Sequence, residues 1–145
     1  DRFGLSVEVR TPTELALRVE VVKRRDAFDR APETFTEQWS KEEAKTRRRI
    51  VAGRARLAAV TVPDSALERA AKLCMALGTD GLRGELTLIR AARAVAALDG
   101  DSEITDVHLR RIAPAALRHR LRRNPLDEAG STTRVERAVA EVLGP

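Results

Sequence analysis

At 145 residues the chain has the length of one domain, and 43% hydrophobic residues suffice for one modest core. That core must be built from small aliphatic side chains, because aromatics make up only 3% and Tyr is absent. The net charge of +5 is mixed, with 27 Lys+Arg against 22 Asp+Glu. With Tyr and RNP-type aromatics missing, base stacking on a sheet is disfavoured, and so is nucleic-acid binding in general.

The abundance of Ala, Leu, Arg and Glu favours helices. In chain order, Leu5-Ser6-Val7-Glu8-Val9 alternates with period two, as a half-buried strand does, and one strand needs partners that the rest of the chain does not offer. Thr11-Pro12-Thr13-Glu14 predicts a helix start. Leu15, Val19 and Val22 recur at helical spacing as far as Phe28, and Pro32 stops the run. A second, long helix is predicted from about Thr36 to Val60, around Trp39, Ile50, Val51, Leu57 and Ala58, with Gly53 weakening its middle.

Pro63-Asp64-Ser65 opens a third helix with a stripe of Leu67, Ala70, Ala71, Cys74 and Leu77, ended by Gly78. A fourth carries Leu82, Leu86, Ile89 and Ala96 on one side, with small residues for close approach, and Gly100 closes it. Ile104-Thr105-Asp106 caps a fifth, whose stripe is Leu109, Ile112, Ala113, Ala116, Leu117 and Leu121. Pro114 predicts a kink or a break near Ala113, and Asn124-Pro125 predicts its end. A last helix from about Thr133 to Leu143 presents Val135, Ala138, Val139 and Val142. The expected fold is mainly α: a helical bundle of about six helices with one short N-terminal strand.

No G-x-x-x-x-G-K-[ST] motif occurs, so no P-loop cradles phosphates. No hydrophobic strand ends in an Asp-Glu pair to hold magnesium. His108 and His119 lack ligand-spaced partners, which argues against zinc. Asp99 and Asp101 flank Gly100 and read as solvated turn residues rather than a metal pair. Cys74, the only cysteine, lies in an apolar run and reads as a small core hydrophobe. No apolar run approaches the ~18 residues of a membrane span, and there is no signal peptide, so the expected location is the cytoplasm. The basic patches Lys45–Arg49 and Arg118–Arg123 read as a solvated face or one that meets phosphates or an acidic partner. Arg83 stands out at the first turn of the fourth helix. There a cation is unfavourable unless an anion is expected nearby; pairing with Glu85 or Asp80 is the plainer alternative.

The order of motifs resembles the magnesium chelatase ATPase subunits (I subunit type) of the AAA+ family. The resemblance rests on Asp1-Arg2-Phe3-Gly4-Leu5-Ser6-Val7-Glu8-Val9 with Thr11-Pro12, on the stretch 17–25, and on Phe35 and Trp39. It continues through Leu-Gly-Thr-Asp-Gly-Leu-Arg-Gly-Glu-Leu at 77–86, Arg-Ala-Ala-Arg-Ala-Val-Ala-Ala-Leu at 90–98 and Ala-Leu-Arg-His-Arg-Leu-Arg-Arg-Asn-Pro-Leu at 116–126. It covers essentially the whole chain. It implies that residues 1–12 end an AAA+ core, 13–60 form connecting long helices, 61–125 the helical lid and 126–145 a C-terminal helix.

The resemblance further implies a homo-hexameric ring that binds ATP with Mg2+, mainly through a core upstream of this segment. Arg83 matches sensor 2, which reaches nucleotide on its own subunit, with Gly81 and Leu82 beside it. Arg2 matches the arginine finger offered to the neighbouring subunit's nucleotide, and Asp1 lies at the same subunit interface. A guanidinium so placed spreads charge over the phosphoryl oxygens, worth about 10³–10⁵ in rate. The implied partners are ring neighbours, a companion AAA+ subunit with an integrin-type domain and, indirectly, a large porphyrin-binding subunit; no membrane is involved. Hydrolysis would drive metal insertion, of magnesium into protoporphyrin or of cobalt into a corrin, by that partner. The segment alone, without Walker motifs, is expected to be inactive. Two alternatives stay open: the lid of a MoxR-type AAA+ chaperone, and a stand-alone helical nucleic-acid-binding module.

Overall fold

A computed structural model describes residues 3–79, 81–121 and 130–144. Six α-helices lie among them: α1 (Leu15–Arg30), α2 (Pro32–Arg56), α3 (Asp64–Leu77), α4 (Arg83–Asp99), α5 (Asp106–Leu117) and α6 (Ser131–Leu143). Short 3-10 turns over Leu57–Ala59 and Arg118–Arg120 extend α2 and α5. The chain divides into two compact units, one made of Asp1–Val7 and Ala52–Pro145, the other of Glu8–Val51.

The larger unit holds the core. Its fully buried side chains are led by Leu73, Leu88, Ile104, Leu109, Leu117 and Val135, with alanines filling the spaces between them. The α4–α5 interface is the most extensive, and α6 packs on α3 and α5. Ala92, Ala96, Ala97, Ala113 and Ala116 are almost wholly enclosed, which lets these helices approach closely. At Gly53 the close approach is required: a Cβ there would sit 2.9 Å from Leu98 Cδ2.

Helix ends are stopped and sealed by identifiable groups. Gly78 (φ 63°) and Gly100 (φ 93°) close α3 and α4 in the left-handed region that glycine alone enters without cost. Arg56 Nε donates to Ala97 O near the end of α4 at 3.1 Å. Arg110 Nη2 donates to Leu143 O (3.0 Å) and Gly144 O (3.1 Å), and Arg69 to Val142 O, so two cations meet the negative end of α6. At the α5 start, the Thr105 N–H donates to His108 Nδ1 at 2.9 Å, while His108 Nε2 donates to Asp101 Oδ2 at 2.9 Å. The backbone donor fixes the tautomer: Nδ1 accepts, so Nε2 carries the hydrogen. Asp99 is paired with Arg111 at 2.6 Å. The two aspartates expected as solvated turn residues are exposed, and each also pairs with a neighbour, while His108 has partners that its spacing concealed.

Several expectations are corrected. Leu5–Val9 forms no strand; its one backbone bond to the helical core is from Ser6 N–H to Ala115 O at 2.8 Å. With no neighbouring strand among the described residues, a period-two pattern has nothing to pair with. Pro32 starts α2 rather than merely ending α1, as fits a residue that lacks an N–H at the first helical position. Pro114 lies inside α5, which continues to Leu117. In α4 the buried face is Gly84, Leu88, Ala92, Val95, Ala96 and Ala97, whereas Leu82 and Leu86 are exposed. The expected end of the fifth helix at Asn124-Pro125 lies outside the described residues, and its regular part stops at Arg120.

The smaller unit is a helical hairpin. Phe28 meets Phe35 edge to face (centroids 5.8 Å apart) and Phe35 meets Trp39 at 6.0 Å, with the Arg24 guanidinium 4.7 Å above the Trp39 ring. Three of the chain's four aromatic rings therefore sit at this one turn. Glu20–Arg24, Asp26–Arg30 and Arg25–Asp29 pair at i,i+4 along α1. None of the residues of α1 is buried, so the expected stripe of Leu15, Val19 and Val22 is helical yet exposed.

Candidate functional site

The site is built around the corner between α3 and α4. After Gly78 turns the chain, Thr79 N–H donates to Cys74 O at 3.1 Å and Thr79 Oγ1 to the same carbonyl at 3.3 Å. Gly81 is also left-handed (φ 64°). Gly84 keeps the corner tight: a Cβ there would lie 3.1 Å from Thr79 Oγ1 and 3.2 Å from Cys74 Sγ. The D-G-L-R-G spacing thus has a mechanical cause in its two glycines, one for conformation and one for contact.

Arg83 occupies the first position of α4 and is exposed, with Gly81 and the exposed Leu82 immediately before it. Leu82, as N-cap, supplies no side-chain cap to the first-turn N–H groups. These donors, the dipole of α4 and the Arg83 guanidinium form a surface suited to a phosphate. Asp80 lies outside the described residues, as do Asp1 and Arg2. Among the described residues no cluster of His, Cys, Asp and Glu is arranged to hold a metal ion, and no helix is long and apolar enough to cross a membrane.

Beneath the corner, Cys74 is buried, and its thiol is pushed up from 9.0 to about 11. Burial is the main cause, the Glu85 carboxylate adds to it, and Thr79 and Arg120 act in the opposite direction. The thiol is therefore protonated and inert at neutral pH, in keeping with a core hydrophobe.

Sequence reasoning missed the role of the Arg118-His119-Arg120 block. It does not form the expected solvated basic face. Arg118 Nη2 donates to Ser6 O, while His119 Nε2 (3.1 Å) and Arg120 Nη2 (3.0 Å) converge on Phe3 O. Arg120 Nε also donates to Ala116 O at 3.1 Å. The segment that follows Arg2 is thereby fastened to the end of α5. Burial and then the nearby Arg83 guanidinium push Arg120 below the usual arginine range, with Cys74 opposing. The signal was present in the density of donors after an apolar helix, but the acceptors lie more than 100 residues away. Arg122 and Arg123 of the same patch lie outside the described residues.

The larger unit is thus a compact bundle of short helices with Arg83 exposed at the corner between α3 and α4. Residues 67–141 match the AAA lid domain family, just over half of the chain, and the chain belongs to that family. It is 61% identical over 143 residues to the magnesium-chelatase 38 kDa subunit of Acidiphilium rubrum, across 99% of this chain and 41% of that protein. It is 57% identical to the subunit of the same name from Cereibacter sphaeroides, across 99% and 43%. It is 38% identical to the magnesium-chelatase subunit ChlI of Synechocystis, across 99% and 40%. The chain spans about two fifths of the length of these curated relatives.

Proposed function

We propose that this chain is the C-terminal lid of the AAA+ motor subunit of a metal chelatase. It couples ATP hydrolysis in a hexameric, cytoplasmic ring to metal insertion by a partner subunit. The names of the relatives favour magnesium and protoporphyrin over cobalt and a corrin, and over a MoxR-type client. The partners are the ring neighbours, a companion AAA+ subunit with an integrin-type domain, and the large porphyrin-binding subunit.

The observation that carries the reading is Arg83 at the first turn of α4, held by the tight Gly81–Gly84 corner within a lid-family domain. Arg83 is the sensor-2 arginine for its own subunit's nucleotide, with Gly81 and Leu82 shaping the approach. Arg2 is the finger for the neighbouring subunit's nucleotide, and Asp1 shares that interface. Mg2+–ATP supplies the phosphoryl group to be transferred, and the arginines supply preorganised positive charge where negative charge develops. The segment lacks the phosphate-binding loop, so catalysis belongs to the longer subunit.

In the full-length subunit, Arg83→Ala is expected to leave ATP binding within about twofold and to lower hydrolysis about 10²-fold or more. Wild-type turnover in that variant would sink the sensor-2 role. Arg2→Ala is expected to poison rings when mixed with wild-type subunits; a loss proportional to dilution would defeat action in trans. Insertion of magnesium into protoporphyrin by the reconstituted complex, measured by fluorescence, tests the client. The second basic patch gives the nucleic-acid alternative no support, since its described residues Arg118, His119 and Arg120 donate to backbone carbonyls.

A further inference from the structure

We propose that the outer face of α2 is a docking surface for an extended acidic segment of a partner protein, held by Lys41, Lys45, Arg48 and Arg49. It stands apart from the Arg83 corner and does not depend on the roles given to Arg83 and Arg2.

The face follows from helical spacing. Phe35 and Trp39 are one turn apart and meet Phe28 and Arg24 of α1, so that side of α2 is turned into the hairpin. Lys41 follows Trp39 by two positions, about 200° round the helix. Lys45, Arg48 and Arg49 recur at i+4, i+7 and i+8 from it, and all four residues are exposed. The row sits in the middle of a 25-residue helix, away from the free N–H groups of its first turn.

What singles the row out is its lack of compensation. On α1, Arg24, Arg25 and Arg30 each pair with an acid four residues away. On α2, Lys41 with Lys45 and Lys45 with Arg49 are like charges at that same spacing, which weakens a helix where the α1 pairs strengthen it. Glu37 and Glu42 lie within about one turn of Lys41 and Lys45. Even so, Lys41, Lys45 and Arg48 form no ion pair among the described residues. A local arrangement that works against the stability of its own helix points to a use outside the fold.

The chemistry of the row selects the partner. Lys41 and Lys45 are about 6 Å apart along the helix axis, and acidic side chains at alternate positions of an extended chain are about 6.6–7 Å apart. Successive cations thus meet successive carboxylates, and the Arg48 guanidinium takes its carboxylate through two parallel hydrogen bonds. Nucleic acid fits less well. Duplex binding gathers roughly six to ten phosphates, whereas the row has four cations bordered by Glu37 and Glu42. Phe35 and Trp39 lie on the other side of α2, so the row has no ring on which a base could stack.

The test is fluorescence anisotropy of the full-length subunit with a labelled peptide of alternating Glu and Ser, about 12 residues long, and with duplex DNA of equal charge. Recognition by charge and spacing requires no particular sequence, so the wild-type protein is expected to bind this peptide at about 0.1 M salt. Lys41→Gln, Lys45→Gln and Arg48→Gln together should weaken binding about tenfold or more, the sum of three partly screened pairs. Arg18→Gln, Lys72→Gln and Arg137→Gln remove the same charge from exposed positions of α1, α3 and α6 and should weaken it less than about twofold. Gln is a good helix former, so both triple variants are expected to fold. Equal losses in the two would reduce the effect to net charge and overturn the proposal, as would a wild-type protein that leaves the peptide free. Tighter binding of the DNA, lost in the variant of Lys41, Lys45 and Arg48, would overturn it in favour of nucleic acid.

Discussion

The two units use the same residue types in opposite ways. In the larger unit, Leu73, Leu88, Leu109 and Leu117 are sealed from water among alanines, and its helices are stopped by glycines and capped by arginines. In the hairpin, Leu15 and Val22 are 76% and 67% exposed, and order comes from an aromatic cluster at the turn and i,i+4 ion pairs along α1. Helical periodicity is visible in both sequences. Only in the larger unit does it correspond to burial, because only there do neighbouring helices return against the same face.

The comparison breaks most directly on truncation of matched leucines. Leu109→Ala, at full burial, is expected to cost about 3 kcal/mol or more, as a lost side chain plus the cavity it leaves. Leu15→Ala should stay within about 0.5 kcal/mol. Denaturant unfolding of the two variants checks the contrast, and equal losses would mean that α1 is buried in the folded protein.

Next in size is the arginine seal on α6. Arg110→Ala removes both bonds to Leu143 O and Gly144 O and should cost about 1–2 kcal/mol. Hydrogen exchange should localise the loss to α6, and a uniform loss would contradict the capping role. In the hairpin, Trp39→Ala removes a ring contact and the cation–π partner of Arg24 and should cost about 1 kcal/mol. Exchange should quicken in α1 and the first turns of α2 and leave α5 unchanged.

These contrasts also show what could be read in advance. Three of the helix ends were legible because local chemistry fixes them: Gly78 and Gly100 as C-caps and Thr105-Asp106 as a start. Which face of α4 is buried was not, since Leu82 and Leu86 are as apolar as Leu88 and only the partners α3 and α5 select among them. The site divided in the same manner. Arg83 could be singled out from its place at a helix start, while Gly84, His108 and Arg120 act through atoms that sequence spacing does not bring together.

The smallest expected effect is the most specific to the interior of the larger unit, and its sign follows from Cys74. The unfolded chain releases the thiol proton near pH 9.0, whereas the folded chain keeps it until about pH 11. Between those values the folded state binds more protons than the unfolded state, so its stability must fall as pH rises. The contribution is complete below pH 9 and gone above 11. Cys74→Ala removes the titrating group and a little packing, so the stability difference between wild type and variant should be constant from pH 7 to 8.5 and then narrow or reverse toward 11. Exposed arginines and lysines titrate in both proteins and cancel in that difference. Unfolding free energies at a series of pH values provide the measurement; a flat difference would mean that the thiolate is tolerated beneath the Gly84 corner. That corner would then be more open to water than expected where a Cβ added at Gly84 would lie only 3.2 Å from the sulfur.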